Sequence, residues 1–299
     1  MIEIKNVSKS FGKTAALDNL SFCVEEGSVF GLVGSNGAGK STLLRIIGGV
    51  FRAESGEALV DGENSFENTS VKNKLFFVPD YPYFFNNSTV RNLAALYRGI
   101  YRNWDEEYFE KLLNIFPIKK NDKIINMSKG MQRQAALILA LSTRPKYLLL
   151  DEIFDGLDPV VRQLVKRLII TNVTDNGMTA IIASHNLREL EDICDHVGLL
   201  HKGEIVLEKE LDELKLGIHK VQIAFKGDVD EAFLDEFDVI NKNRQGNLFQ
   251  LTIRGEESEL MPRLEALEPA FVEALPLTLE EVFINEMEGV GYEIENILR

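Results

Sequence analysis

Cysteine is scarce: only Cys23 and Cys194 occur in 299 residues. They lie far apart, each in an apolar setting, so both are expected to be buried thiols in a reducing compartment rather than a disulfide. Long apolar runs are missing too. No stretch approaches the roughly 18 residues that a membrane-spanning helix needs, and no basic-then-apolar leader opens the chain. Any action at a membrane is therefore expected to run through a partner. Positive charge is also short, with 33 Lys+Arg against 47 Asp+Glu, a net charge of −14. That balance argues against a nucleic-acid partner held by general electrostatics. The acid is uneven: residues 217–299 hold 18 Asp+Glu and 7 Lys+Arg, a net −11, which leaves −3 for residues 1–216. The C-terminal piece is expected to form a separate electrostatic unit facing water.

What remains is the composition of an ordinary soluble protein, 45% apolar and 27% charged. The length suits one large domain and one small one. The most informative stretch is GSNGAGKST, Gly34 to Thr42. It follows the apolar run Val29, Phe30, Leu32 and Val33 and leads into Leu43, Leu44, Ile46 and Ile47, so it is predicted to sit between a strand and a helix. That context turns G-x-x-x-x-G-K-[ST] into a phosphate-binding loop. Glycines let several N–H groups converge on one anion, and the helix start adds its positive dipole end. Lys40 is expected to reach the β- and γ-phosphates, and the Ser41 hydroxyl to ligate Mg²⁺.

Ahead of the loop, Ile2, Ile4 and Val7, then Leu20, Phe22 and Val24, alternate as strands do. Phe11 between them reads as a core or edge aromatic, or as one that stacks on a base. After the loop helix come a short strand with an Asp61-Gly62 turn and a strand at Leu75–Val78 ended by Pro79 and Asp80. Residues 81–146 read as a helical insertion. Its aromatic cluster, Tyr81, Tyr83, Phe84 and Phe85, reads as core, with a docking surface for a partner as the alternative. Asn103, three residues before Glu106, is expected to open one helix, and Ser128 to cap another.

Tyr147 to Leu150 are predicted to form a buried strand that delivers Asp151 and Glu152 to its C-terminal end, where ligands of open parallel sheets bind. An apolar strand ending in aspartate suits a Mg²⁺ ligand, and the next carboxylate suits a general base for water. Thr179 to Ala183 form a further strand ending at Ser184-His185, which places His185 for contact with a γ-phosphate. His196, His201 and His219 read as structural or solvent-exposed.

Together, residues 1 to about 215 resemble the ATP-binding subunits of ABC transporters. The resemblance makes Gly34, Ser35, Asn36, Gly37, Ala38, Gly39, Lys40, Ser41 and Thr42 the Walker A loop, Phe11 the adenine-stacking aromatic, Asp151 the Walker B aspartate and Glu152 the catalytic glutamate. Gly156-Leu157-Asp158 match the loop across a dimer interface, and His185 the switch histidine. MSKGM, Met127 to Met131, stands for the family signature LSGGQ, with Ser128 and Gly130 kept and Lys129 and Met131 substituted. Asp80 stands where the family has a glutamine that contacts Mg²⁺ or its water. The resemblance implies an ATPase that uses ATP and Mg²⁺. Two subunits, identical or not, would sandwich the nucleotides, with Ser128 and Gly130 acting in trans and Asp158 among the nucleotide-binding residues. A separately encoded membrane permease is the implied partner, at the cytoplasmic face, with export as the direction. Soluble ABC ATPases acting on DNA or ribosomes tend to carry a long coiled coil between Walker A and the signature, or two ATPase domains in one chain. Here only 88 positions separate Lys40 from Ser128, and there is a single set of motifs. A nucleotide-sensing regulator would rest on Asp80 and the altered signature.

The expected fold is thus α/β: a P-loop NTPase domain over residues 1–216, with a helical subdomain at about 81–146, and a C-terminal α+β domain over 217–299. In the latter, the order β-α-β-β-α-β suggests a ferredoxin-like module, closed by a helix in which Thr278 and Glu281 form a capping box.

Overall fold

A computed structural model describes residues 1–211, 213, 217–227 and 229–283. The chain divides into two compact units, Met1–Glu208 and Lys209–Arg299, a boundary ahead of the expected one at 216.

Alternating apolar residues make the opening hairpin, β1 (Ile2–Phe11) and β2 (Thr14–Val24). Ile2, Ile4, Leu20, Phe22 and Val24 point inward. Cys23, one step out of phase, is exposed, which corrects the expectation of a buried thiol; Cys194 is buried. β3 (Val29–Val33) is buried along its whole length and feeds the phosphate loop and α1 (Lys40–Ile47). β4 (Ser55–Val60) and β5 (Glu63–Asn64) follow, joined through Asp61 and Gly62, both at positive φ. They complete a four-stranded antiparallel sheet in the order β2-β1-β4-β5.

Next come α2 (Thr69–Lys74) and β6 (Leu75–Val78). Three helices then fill the insertion: α3 (Val90–Ile100), α4 (Glu106–Ile115) and α5 (Lys129–Ser142). α4 is capped by Asp105, whose side chain accepts from Tyr108 N at 2.8 Å, not by Asn103. Asp105 also pairs with Arg144 at 2.8 Å, which fixes its carboxylate at the helix start. Ser128 caps α5 as expected, accepting from Met131 N. Met127 and Ala135 to Leu141 are buried, so α5 is the insertion's core helix.

β7 (Tyr147–Asp151), α6 (Pro159–Asn176), β8 (Thr179–Ser184), α7 (Leu187–Leu190), β9 (His196–His201) and β10 (Glu204–Glu210) complete the second sheet. Its order is β10-β9-β3-β8-β7-β6, parallel from β9 through β6. β3, β7 and β8 are buried without alternation, as expected of parallel strands covered on both faces. Leu43, Leu44, Ile46 and Ile47 of α1 share one apolar cluster with Ile2, Leu20 and Val60 of the first sheet and with Leu149 and Ile181 of the second. The helix behind the phosphate loop is therefore gripped by both sheets.

The second unit runs β11 (Ile218–Ala224), a 3-10 helix at Glu231–Glu236, β12 (Asp238–Gln245), β13 (Leu248–Arg254), α8 (Glu257–Glu265) and β14 (Phe271–Leu275). Every pairing is antiparallel and the sheet order is β12-β13-β11-β14. That is the ferredoxin-like arrangement, with a 3-10 helix in place of the first α-helix. Val221, Ile223, Phe249, Leu251, Leu260 and Leu264 form its core. Thr278 and Glu281 bond reciprocally, Thr278 Oγ1 to Glu281 Oε2 at 3.0 Å and Glu281 N to Thr278 Oγ1 at 3.3 Å. This caps the helical residues 279–283, and the remainder of the expected last helix lies outside the described residues.

Candidate nucleotide-hydrolysing site

The parallel sheet brings the C-terminal ends of β3, β7 and β8 side by side, with Val33 opposite Ser184 and Asp151 opposite Ala183. The phosphate loop, the Asp151-Glu152 pair and His185 thus meet at one edge. Glycine is required in the loop for two distinct reasons. A Cβ on Gly34 would stand 2.3 Å from the Leu200 carbonyl oxygen, and one on Gly39 would stand 2.4 Å from that of Ala16. Gly37, in open space, holds a φ of 85° that side chains oppose. Ala38 N donates to Ser35 O, closing the turn, and Asn36 and Gly37 form its exposed tip.

Lys40 is only 5% exposed, and its ammonium donates to Gly34 O at 2.5 Å and lies 3.3 Å from Glu152 Oε1. The other Glu152 oxygen lies 2.9 Å from His185 Nδ1 and accepts from the His185 main-chain N–H at 3.3 Å. Glu152 is thereby held between a fixed cation and an imidazole. Its φ of 49° is a left-handed conformation costly for a side chain of this kind, and its N–H donates to Ala183 O, anchoring it to β8. One donor atom each from Glu152, Asp155 and His185 fall within 4.8 Å of one another.

Asp151 differs. It is 1% exposed, and among the described residues neither carboxylate oxygen has a hydrogen-bond partner of ordinary geometry. Burial raises its pKa and the neighbouring Glu152 charge adds to the effect, while the nearby Ser41 hydroxyl opposes it. A buried orphan carboxylate beside a serine hydroxyl and a phosphate loop fits a divalent cation. Ser41 and Asp151 are the residues suited to hold Mg²⁺.

Asp80, expected to contact Mg²⁺, is ion-paired with Arg133 of α5, whose Nη2 also donates to the Asp80 main-chain oxygen at 3.2 Å. Phe11 is 49% exposed at the end of β1, with one edge of its ring against Phe51 at 5.6 Å. Ser128 is exposed, while Gly130 is buried, and a Cβ there would stand 2.7 Å from the Gly156 carbonyl oxygen. Gly130 therefore serves packing within its own chain. Asp158 caps α6, accepting from Val160 N and Val161 N at 3.0 Å. The aromatic loop is not core: Tyr81, Tyr83 and Phe85 are 73%, 83% and 61% exposed.

Arg133 was missed by sequence reasoning. The signal was a cation standing two residues before the apolar run AALILAL and two residues after the MSKGM stretch.

A glycine-cradled anion loop, an adjacent buried lysine, a cation-ready aspartate and an oriented glutamate define a P-loop nucleoside triphosphatase. The comparisons narrow that class. The "ABC transporter" family profile matches residues 17–155. "ABC transporter ATP-binding protein YtrB" of Bacillus subtilis (strain 168) is 33% identical over 97% of this chain and 99% of its own. "Bacitracin transport ATP-binding protein BcrA" of Bacillus licheniformis is 31% identical, over 72% of this chain and 71% of its own. The solved "Dimeric Structure of MJ0796, a Bacterial ABC Transporter Cassette" shares the fold, with a TM-score of 0.65 and 24% identity over 71% of this chain and 99% of that one. The chain belongs to the ABC transporter ATP-binding protein family and is an ABC ATPase.

Proposed function

We propose that the chain is the ATP-hydrolysing subunit of a membrane exporter and works as a head-to-tail dimer on the cytoplasmic face of its permease. The observation that carries hydrolysis is Glu152, held between Lys40 and His185. In such a site Glu152 accepts the proton of the attacking water, His185 keeps its carboxylate aimed, and Lys40 and the loop N–H groups bind the β- and γ-phosphates. Mg²⁺, held by Ser41 and Asp151, would neutralise phosphate charge. Positioning and charge neutralisation do most of the work in phosphoryl transfer.

Export is supported by the likeness to chains named for bacitracin and lantibiotic transport. A membrane partner is supported by Tyr81, Tyr83 and Phe85, which offer an exposed aromatic surface beside Asp80. Among the described residues no helix is long and apolar enough to cross a membrane. In the dimer, Ser128 of one subunit would complete the phosphate shell of the other, which a two-fold arrangement supplies twice. The test is affinity purification of the chain from detergent-solubilised membranes of its own cell. A multi-span membrane protein at a stoichiometry of one permease set per ATPase dimer is expected. Recovery from the cytosolic fraction alone, with no membrane protein bound, contradicts the transport reading.

A further inference from the structure

Arg133 is 8% exposed and joins two segments remote in sequence. Its Nη2 pairs with the Asp80 carboxylate and donates to the Asp80 carbonyl, and its Nη1 donates to the carbonyl of Asp155. Asp80 lies just past β6, and Asp155 is in the turn just past β7, three residues beyond Glu152. A guanidinium suits this task because its donors are fixed in one plane and can serve two acceptors at once. Gly130, one helical turn before Arg133, abuts the Gly156 carbonyl, and Gly156 itself turns at a φ of 70°. The start of α5 thus holds the Asp155–Leu157 turn twice, by close packing at Gly130 and by hydrogen bonding at Arg133.

We propose that Arg133 is a positioning residue. Anchored by Asp80, it fixes the Asp155–Leu157 turn and through it the Glu152 carboxylate, so the loop after β6 and the hydrolytic site move together. The role given to Glu152 rests on the reading above. That turn is tight, with Asp155 N donating to Glu152 O and Leu157 N to Phe154 O, each at 3.2 Å. Glu152 holds a strained φ that its surroundings must enforce. On the other side, Tyr81 follows Asp80 directly and lies 5.7 Å from the ammonium of Lys129, the first residue of α5. A load on the exposed aromatic loop therefore reaches Arg133 in one step. Asp80 here takes the part of a tether to α5, and that explains why a carboxylate serves at this place: it pairs with a cation as a glutamine does not.

The test compares the full-length chain with Asp80→Asn, Arg133→Gln and the double variant, by amide hydrogen exchange without nucleotide and by steady-state ATP hydrolysis. Exchange at residues 153–158 is expected to quicken about tenfold or more in each single variant. kcat is expected to fall about tenfold, with KM for ATP changed less than about twofold, and the double variant to be no worse than the poorer single. Unchanged exchange at 153–158, or kcat losses that multiply in the double variant, would overturn the proposal. Asp80→Asn preserves shape, so it carries the same test if Arg133→Gln fails to fold. A wild-type chain that hydrolyses no ATP would sink the reading of the site, while the exchange measurement would still decide the bridge.

Discussion

Asp80 and Asp151 close neighbouring parallel strands, β6 and β7, and both were expected to face Mg²⁺, yet their surroundings are opposite. Asp151 is buried with no hydrogen-bond partner of ordinary geometry among the described residues, and burial raises its pKa. Asp80 is partly exposed and carries the Arg133 guanidinium. A carboxylate at a strand end is thus not a ligand by position alone. On the reading proposed above, the one left without a protein partner would hold the ion, and the one already paired would tether α5.

The largest effect that would break this contrast is expected at Asp151. Asp151→Asn should lower ATP hydrolysis by a factor on the order of 10² or more, while the nucleotide-free protein becomes more stable by about 1 kcal/mol at pH 7. The sign follows from the raised pKa: the folded protein holds a charged Asp151 less comfortably than the unfolded chain does, so stability falls as pH rises past the usual carboxylate range. Thermal unfolding of the free protein measures it, and a lowered Tm would mean that Asp151 is satisfied within the chain.

Gly130→Ala comes next. The added methyl meets a backbone oxygen at 2.7 Å, so a loss of about 1–3 kcal/mol is expected in urea unfolding. A neutral result would mean that α5 and the Gly156 turn are not in firm contact.

Asp61 gives the smallest effect and the mirror image of Asp151. Burial raises its pKa, but hydrogen bonds from Tyr147, Lys74 and Lys146 outweigh this and hold it well below the usual range. Its stabilising contribution is full above the unfolded carboxylate pKa and fades as pH falls toward the folded one. Asp61→Asn should cost about 1 kcal/mol at pH 7 and less near pH 3. A cost independent of pH would remove the charge from the explanation.

Much of this molecule was readable in advance, and the reason differs from part to part. The phosphate loop was legible because its geometry admits few residues: Gly34 and Gly39 have no room for a Cβ, and Gly37 sits at a φ that favours glycine. β7 was legible because a continuous apolar run ending in two acids has few other uses in a parallel sheet. The exposure of Cys23 was implicit in the period of two that placed Leu20, Phe22 and Val24 inward, and the apolar surroundings hid it. The aromatic loop stayed open between core and docking surface for a related reason. Composition says that Tyr83 and Phe85 are apolar, and it does not say whether anything covers them. The Asp80–Arg133 pair spans 53 positions and follows no local period, so only the folded chain brings it to view. The same holds for Gly130, whose neighbour across the gap is Gly156 of the same chain.

Hydrolysis on the proposed mechanism depends on Glu152 as the residue that activates water. Single-turnover hydrolysis by Glu152→Gln, with ATP affinity measured on the same protein, tests it most directly. The expected result is a rate lower by a factor on the order of 10² or more, with ATP affinity within about twofold of wild type and an ATP-bound dimer accumulating. A variant that hydrolyses ATP at the wild-type rate would remove Glu152 from that role.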